Sequence, residues 1–319
     1  MTAATASPGL PVVLDAAERI AGRVRRTPLL TLDAVPGVLL KAEHMQRGGS
    51  FKARGATNAM LAHGARRVVT GSSGNHGMAL ATLGATLGAH VTVVMARGAS
   101  PAKADVIRGL GATVVTVDGG NTDRDRYARE LAQDTDASYV PSADDELVVA
   151  GQGTVALEVF AAAPDLVAIY VPTGGGGLLA GSCLAATGPN RRVRVIGVEP
   201  ATARRYAASL DAGRPVELPP SATIADGLRA QRPGAVPYPI IRDRVDDLLG
   251  VTDEATGEAM RLLHSHGVIA EPSGCVALAG ALQLRLPGRV AVIVSGGNTA
   301  AALARPVPGA VAVRSTVEG

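Results

Sequence analysis

The chain has 319 residues, 47% of them hydrophobic and 18% charged, a globular balance long enough for two domains or one large one. Its formal charge of +3 is spread along the chain, with no basic cluster interleaved with aromatic residues, which excludes a nucleic-acid footprint. Aromatic residues make up only 2% and tryptophan is absent, so the core must be built from Ala, Val, Leu and Ile.

Residues 1–10, rich in Ala, Thr, Ser and Pro, predict a poorly ordered start, and Asp15–Val24 reads as the first helix. No basic stretch followed by an apolar run marks a secretory leader there. Next comes Gly49-Ser50-Phe51-Lys52-Ala53-Arg54-Gly55-Ala56. The chain carries 31 basic residues, of which only three are lysines (41, 52 and 103), so Lys52 stands out in this small-residue turn. Arginine can replace lysine as a surface charge but cannot lose its proton, so a retained lysine is a candidate for covalent amine chemistry. An ordinary surface lysine is the alternative.

From about residue 66 to 140 the pattern alternates strand and helix. Arg66–Val69, Val91–Val94 and Thr113–Val117 read as strands, and Ser100-Pro101 is a good helix start. Such alternation implies a parallel sheet with helices on both faces. A second series, with strands at 167–171, 193–198 and 290–294, occupies Leu166–Leu303. Leu166–Ala186 is apolar enough to raise a membrane span, but Pro172 and the glycines after it predict strand, loop and helix.

Three strand ends run into polar glycine loops. Thr70-Gly71-Ser72-Ser73-Gly74-Asn75-His76-Gly77 opens an Ala-rich helix. Thr173-Gly174-Gly175-Gly176-Gly177-Leu178 follows a β-branched run, and Ser295-Gly296-Gly297-Asn298 follows Val292–Val294. Loops at strand C-termini are where ligands of open α/β sheets sit, and glycines followed by a helix start can cradle a phosphate. The tetraglycine loop lacks the Lys-Ser/Thr of a nucleotide P-loop. One reactive lysine with three such loops describes a site for a phosphorylated cofactor that also needs an amine, and pyridoxal 5'-phosphate is that cofactor.

The run Lys41–Ala56 resembles the lysine motif of the fold type II pyridoxal-phosphate enzymes, in their serine/threonine dehydratase and serine racemase branch. The three glycine loops, Thr223-Ile224-Ala225-Asp226-Gly227 and Glu271-Pro272-Ser273-Gly274 resemble that branch in the same order, from about Arg26 to about Ala300. The resemblance implies an α/β fold of the tryptophan synthase beta type, with mostly parallel twisted sheets and helices on both faces. It implies a large domain of 1–57 and 144–319, a small domain of 58–143 inserted in it, and a homodimer; the missing leader and membrane span predict a cytoplasmic protein without a membrane partner, and the spread of charge predicts no nucleic-acid partner.

By the same resemblance, Lys52 would hold the cofactor as a Schiff base and then remove the Cα proton of an amino-acid substrate. Phe51 would pack near the ring. Gly174, Gly175, Gly176 and Gly177 would cradle the phosphate, Asn75 would meet the ring hydroxyl, Gly227 would lie against the ring, and Ser295 would partner the pyridine nitrogen. A neutral serine there makes a weaker electron sink than an aspartate and suits β-elimination. Ser72, Ser73, Gly74 and His76 would bind the substrate carboxylate, a cap or turn role for the serines being the alternative. Ser73 would also be the opposite-face proton carrier if the enzyme racemises. Arg124 would face the substrate side chain and could accept a β-carboxylate, or it is a solvated arginine at a helix start. Glu271 reads as a supporting carboxylate or a helix cap.

Members that bind a divalent metal supply a Glu, a backbone carbonyl and an Asp six residues beyond the Glu. Here Glu199 is present but position 205 is arginine, so no metal is expected. Cys183 and Cys275 lie in small apolar contexts and read as buried free thiols, and His264 and His266 are too close for usual zinc spacings. No effector domain is expected after the catalytic region. The expected reaction converts L-threonine or L-serine to a 2-oxo acid and ammonia, with serine or aspartate racemisation, or 3-hydroxyaspartate dehydration, as alternatives.

Overall fold

The computed structural model describes residues 9–72, 74–188 and 193–303. In chain order the elements are α1 (Leu10–Ile20), β1 (Leu29–Thr31), β2 (Val38–Lys41), α2 (Lys52–His63), β3 (Arg67–Gly71), α3 (Asn75–Leu87), β4 (His90–Ala96), α4 (Pro101–Gly109), β5 (Thr113–Val117), α5 (Asn121–Asp134), β6 (Ser138–Tyr139) and α6 (Glu146–Ala162). There follow β7 (Ala168–Pro172), α7 (Gly177–Ala185), β8 (Arg194–Pro200), α8 (Arg205–Asp211), α9 (Pro237–Arg244), β9 (Asp247–Val251), α10 (Asp253–Ser265), α11 (Pro272–Gln283), β10 (Val290–Ile293) and α12 (Ala300–Leu303).

The strands form two sheets. The larger has the order β1-β2-β10-β7-β8-β9, parallel except for the antiparallel β1–β2 edge. The smaller, β5-β4-β3-β6, is parallel throughout. Side chains alternate between faces with the period of two that a strand imposes. On β7, Ile169 and Val171 join one apolar cluster with α1, α6, α7 and α9, whereas Ala168 and Tyr170 join another with α10 and α11. In the smaller sheet Val91, Val93 and Met95 face α3 and α4, and Val94 faces α5. We propose the division into 1–57 with 144–319 around an inserted 58–143 for this arrangement, since all four strands of the smaller sheet fall within 67–139.

The first helix lies earlier in the chain than expected. It runs from Leu10, with Pro11 in its first turn, and closes before Gly22, whose φ of +71° no helix continues through. Leu10 therefore belongs to a helix and not to an irregular start. Helix α4 does begin at Pro101, but the Ser100 side chain makes no capping hydrogen bond. Leu166–Ala186 is the predicted strand, loop and helix, and among the described residues no helix is long and apolar enough to cross a membrane. Both cysteines are free and buried, and burial pushes each thiol up to about 12.

What positions the site is the close packing of α2, α6 and α7. A Cβ on Gly151 of α6 would lie 2.7 Å from Gly55 Cα of α2. One on Gly153 would lie 2.6 Å from the Gly181 carbonyl of α7. Backbone meets backbone at these crossings because no side chain intervenes. Gly181→Ala would place a methyl 2.5 Å from Gly153 N, so it should destabilise the protein by roughly 1–3 kcal/mol, the usual cost of overpacking, read from the shift in denaturant midpoint.

Candidate active site

Lys52 is the first residue of α2, and its Nζ donates to the Ser142 carbonyl at 2.5 Å. The Phe51 ring lies 5.1 Å from the same ammonium. Burial alone lowers the Lys52 amine to about 8, because no carboxylate among the described residues offsets the desolvation of its charge. The amine is thus close to its nucleophilic neutral form near physiological pH.

The segment that accepts from Lys52 also lines the tetraglycine loop. A Cβ on Gly175 would lie 2.9 Å from Ala143 Cβ, and one on Gly177 would lie 3.2 Å from Ala143 Cα. Gly176 takes φ +95°, and a Cβ there would lie 2.5 Å from the Tyr206 ring. Tyr206 Oη donates to the Gly175 carbonyl at 2.9 Å and so fixes the loop from behind. The loop opens α7, whose first turn presents backbone N–H groups without intrahelical acceptors. These glycines leave no room for a side chain between the loop and the residues packed against it, and they stand beside a deprotonatable lysine.

The other predicted residues close the site. Phe51 N donates to the Ser295 carbonyl at 3.1 Å, and Ser50 bridges Gly296, which brings the end of β10 beside the lysine. Ser295 is buried, its Oγ 3.3 Å from the Ser273 carbonyl. Gly227 N donates to Ser273 Oγ at 2.9 Å, and a Cβ on Gly174 would lie 3.2 Å from the Gly227 carbonyl, so Gly227 sits between α11 and the cradle. Asn75 opens α3. Its amide donates to Glu271 Oε1 and accepts from Asn298 Nδ2 at 2.9 Å. Glu271 is buried, its Oε2 has no partner among the described residues, and burial pushes its carboxyl up to about 7.

The loop 72–77 divides its labour. Ser72 Oγ accepts from Gly77 N at 3.0 Å and Gly74 N at 3.3 Å, the capping role weighed for it. His76 is buried with Nε2 3.0 Å from the Val140 carbonyl, so that nitrogen carries the proton and donates. Burial, then the nearby positive charges of Lys52 and Arg124, holds its pKa at about 3, and the ring stays neutral. Gly74 faces Lys103, whose Nζ would lie 3.4 Å from a Cβ at that glycine. Ser73 lies outside the described residues. Arg124 is buried, with Nε and Nη2 donating to Asp125 Oδ1 at 2.9 and 2.7 Å. A Cβ on Gly71 would lie 3.3 Å from Arg124 Nε, which places the guanidinium at the end of β3 and rules out the solvated reading.

Several residues that support the site escaped the sequence reading. Arg54, two residues after Lys52, is fully buried and donates to Glu43 at 2.8 and 2.7 Å and to Glu158 at 2.7 and 3.0 Å. Lys41 donates to Glu158 at 2.5 Å and to the Thr27 carbonyl at 2.6 Å. Lys103 pairs with Asp226 at 2.6 Å, beside Gly227. The scarcity of lysine was the available signal for Lys41 and Lys103. Asn298 and Ser273 lay inside the quoted motifs, without a role.

Known proteins resemble this chain in sequence and fold. A family model of pyridoxal-phosphate dependent enzymes matches residues 20–297. An L-threo-3-hydroxyaspartate ammonia-lyase of Pseudomonas sp is 40% identical over 299 residues, which cover 90% of this chain and 94% of the relative. A serine racemase of Oryza sativa subsp. indica is 36% identical over 304 residues, 90% of this chain and 89% of the relative. A solved threonine deaminase of T.th. aligns with a TM-score of 0.87 at 41% identity, covering 92% of this chain and 99% of that one. The chain belongs to the pyridoxal-phosphate-dependent enzymes of fold type II, within the ammonia-lyase and serine racemase branch. Pyridoxal 5'-phosphate is its cofactor, and the lysine and glycine cradle fit its aldehyde and phosphate.

Two outcomes follow from the geometry. Neutral amine is the attacking form, so covalent capture of the cofactor by apoprotein should quicken as pH rises toward about 8 and level off above it. An unperturbed lysine would keep gaining to about 10.4; stopped-flow absorbance at a series of pH values separates the two. Glu43→Ala leaves Lys41 and Arg54 to share Glu158, with one buried positive charge unmatched, and should cost about 3–5 kcal/mol in chemical denaturation.

Proposed function

We propose that the protein is an ammonia-lyase acting on 2-amino-3-hydroxy acids, with 3-hydroxyaspartate preferred over L-serine and L-threonine. The observation that carries the preference is Arg124, a buried guanidinium at the end of β3 beside the 72–77 loop, held in plane by Asp125. A guanidinium can receive the β-carboxylate that distinguishes hydroxyaspartate from serine and threonine. The relative named L-threo-3-hydroxyaspartate ammonia-lyase supports the same reading. A cytoplasmic homodimer is also part of the proposal, the homodimer on the family resemblance alone.

When bound, the cofactor supplies an electron sink that acidifies the Cα–H bond of the attached amino acid. The Lys52 amine then removes that proton, for which its lowered pKa suits it. The first turn of α3 holds the α-carboxylate with the backbone N–H groups of Asn75 and His76, since the N–H groups of Ser72, Gly74 and Gly77, the Ser72 hydroxyl and His76 Nε2 are engaged in structural hydrogen bonds. The β-hydroxyl leaves with a proton as water. Hydrolysis of the resulting enamine consumes one water and yields ammonia and the 2-oxo acid, oxaloacetate for hydroxyaspartate. Ser295 would give the ring nitrogen a neutral partner, which would favour elimination over a long-lived carbanion.

The test is a product analysis of the holoenzyme with L-threo-3-hydroxyaspartate, L-serine and L-threonine, scoring 2-oxo acid, ammonia and D-amino acid together. Hydroxyaspartate should give the largest kcat/KM. Arg124→Ala should lower that value by about 10–100-fold, the loss of one charged interaction, and leave L-serine turnover within a fewfold. A higher kcat/KM for L-threonine in the unaltered enzyme would sink the substrate assignment. Substantial D-serine would move the protein to the racemases and make Ser73 the second proton carrier. Lys52→Ala should abolish every product.

A further inference from the structure

Arg205 is fully buried at the start of α8; the two terminal nitrogens of its guanidinium meet oxygen, while its Nε has no partner among the described residues. Nη1 donates to the carbonyls of Thr173 at 3.0 Å and Gly174 at 2.9 Å. Nη2 donates to the carbonyls of Leu228 at 2.8 Å and Ala203. The Glu199 carboxylate lies 3.9 Å away and is itself held by the backbone N–H groups of Tyr206 at 2.9 Å and Ala207 at 3.1 Å. Four carbonyls and a carboxylate facing one point are the ligand set of a hard cation. A guanidinium occupies that point, always charged and rigid in its fork.

We propose that Arg205 is a built-in cation that takes the place of a divalent metal in this chain, and that it positions the cofactor cradle. The residues do not fit a metal ion as well. Each Glu199 oxygen already accepts one N–H of the helix start, position 205 offers no carboxylate, and the guanidinium fills the space. The carbonyls it gathers belong to three segments: the entry to the tetraglycine loop (Thr173, Gly174), the turn that carries Gly227 (Leu228), and its own approach (Ala203). Through them Arg205 ties the phosphate cradle to the ring-side turn, a link that a metal would otherwise have to make. It touches neither cofactor nor substrate, so it is a positioning residue. The inference rests on the cofactor assignment and is independent of which amino acid is used.

The experiment uses purified holoenzyme, with magnesium and calcium as the cation probes. In the unaltered protein, elemental analysis should find no stoichiometric divalent ion, and neither chelator nor millimolar cation should move the melting temperature. Arg205→Ala should bind pyridoxal phosphate at least about tenfold more weakly in absorbance titrations, the loss of one charged interaction. Arg205→Asp would complete an oxygen set with Glu199 and the Ala203 carbonyl. Its melting temperature and cofactor affinity should rise saturably with calcium or magnesium, a response that a role in folding alone would not give. The proposal is overturned by a bound divalent ion or a saturable cation response in the unaltered protein. It is equally overturned by undiminished cofactor affinity in Arg205→Ala, or by an Arg205→Asp protein that cations neither stabilise nor fold. Cofactor titration of Lys52→Ala, which should lose covalent capture whatever Arg205 does, separates failure of this inference from failure of the cofactor assignment.

Discussion

Everything at the site depends on how closely α2, α6 and α7 approach one another. Gly55, Gly151, Gly153 and Gly181 remove the side chains that would hold these helices apart. The start of α2, with Lys52, then meets the segment just before α6 and the start of α7, with its glycine cradle. An amine and the glycine loop are thereby set on rigid elements, and Lys52 donates to the segment that lines that loop. Such placement matters because a catalytic group contributes only when held within reach of the reacting atom.

Electrostatics divides the three lysines among separate tasks. Lys41 is absorbed into a buried cluster with Glu43, Arg54 and Glu158, and its charge is matched there. Lys103 is matched by Asp226. Lys52 is half-buried without a matching acid among the described residues, and desolvation loosens its proton. The neighbouring Arg54 pins the same helix with charge-assisted hydrogen bonds, so the lysine backbone is fixed while its side chain remains chemically free. The same logic holds His76 neutral. Two nearby positive charges and burial keep a third charge from forming.

Two further arginines extend this use of fixed charge. Arg124 is buried at the end of β3, and Arg205 lies against the entry to the tetraglycine loop. Arginine suits both places because it stays charged under burial and distributes several donors in one plane. A lysine at either position would risk deprotonation and could not span four carbonyls.

The motifs that carry the chemistry were legible in the sequence because they are local. A lysine in a small-residue turn, four consecutive glycines after a β-branched run, and Ser-Gly-Gly-Asn after Val292–Val294 are each short, and their backbone demands are met within a few residues. The parallel α/β class was legible too, since strand-and-helix alternation leaves few topologies. The first helix was misplaced because Ala-rich and polar residues continue past Ile20, and only the positive φ of Gly22 shows where it ends. What tertiary structure alone decided are the partners brought together from far apart in the chain. Glu271 reaches Asn75, Glu158 reaches Arg54, and Arg205 reaches Thr173, Gly174 and Leu228. From sequence Arg124 could be solvated or functional, and Arg205 was only a missing aspartate. The structure buries both, Arg124 against the Asp125 carboxylate and Arg205 among backbone carbonyls, because what surrounds a charged group in space is set by the fold and not by its neighbours in sequence.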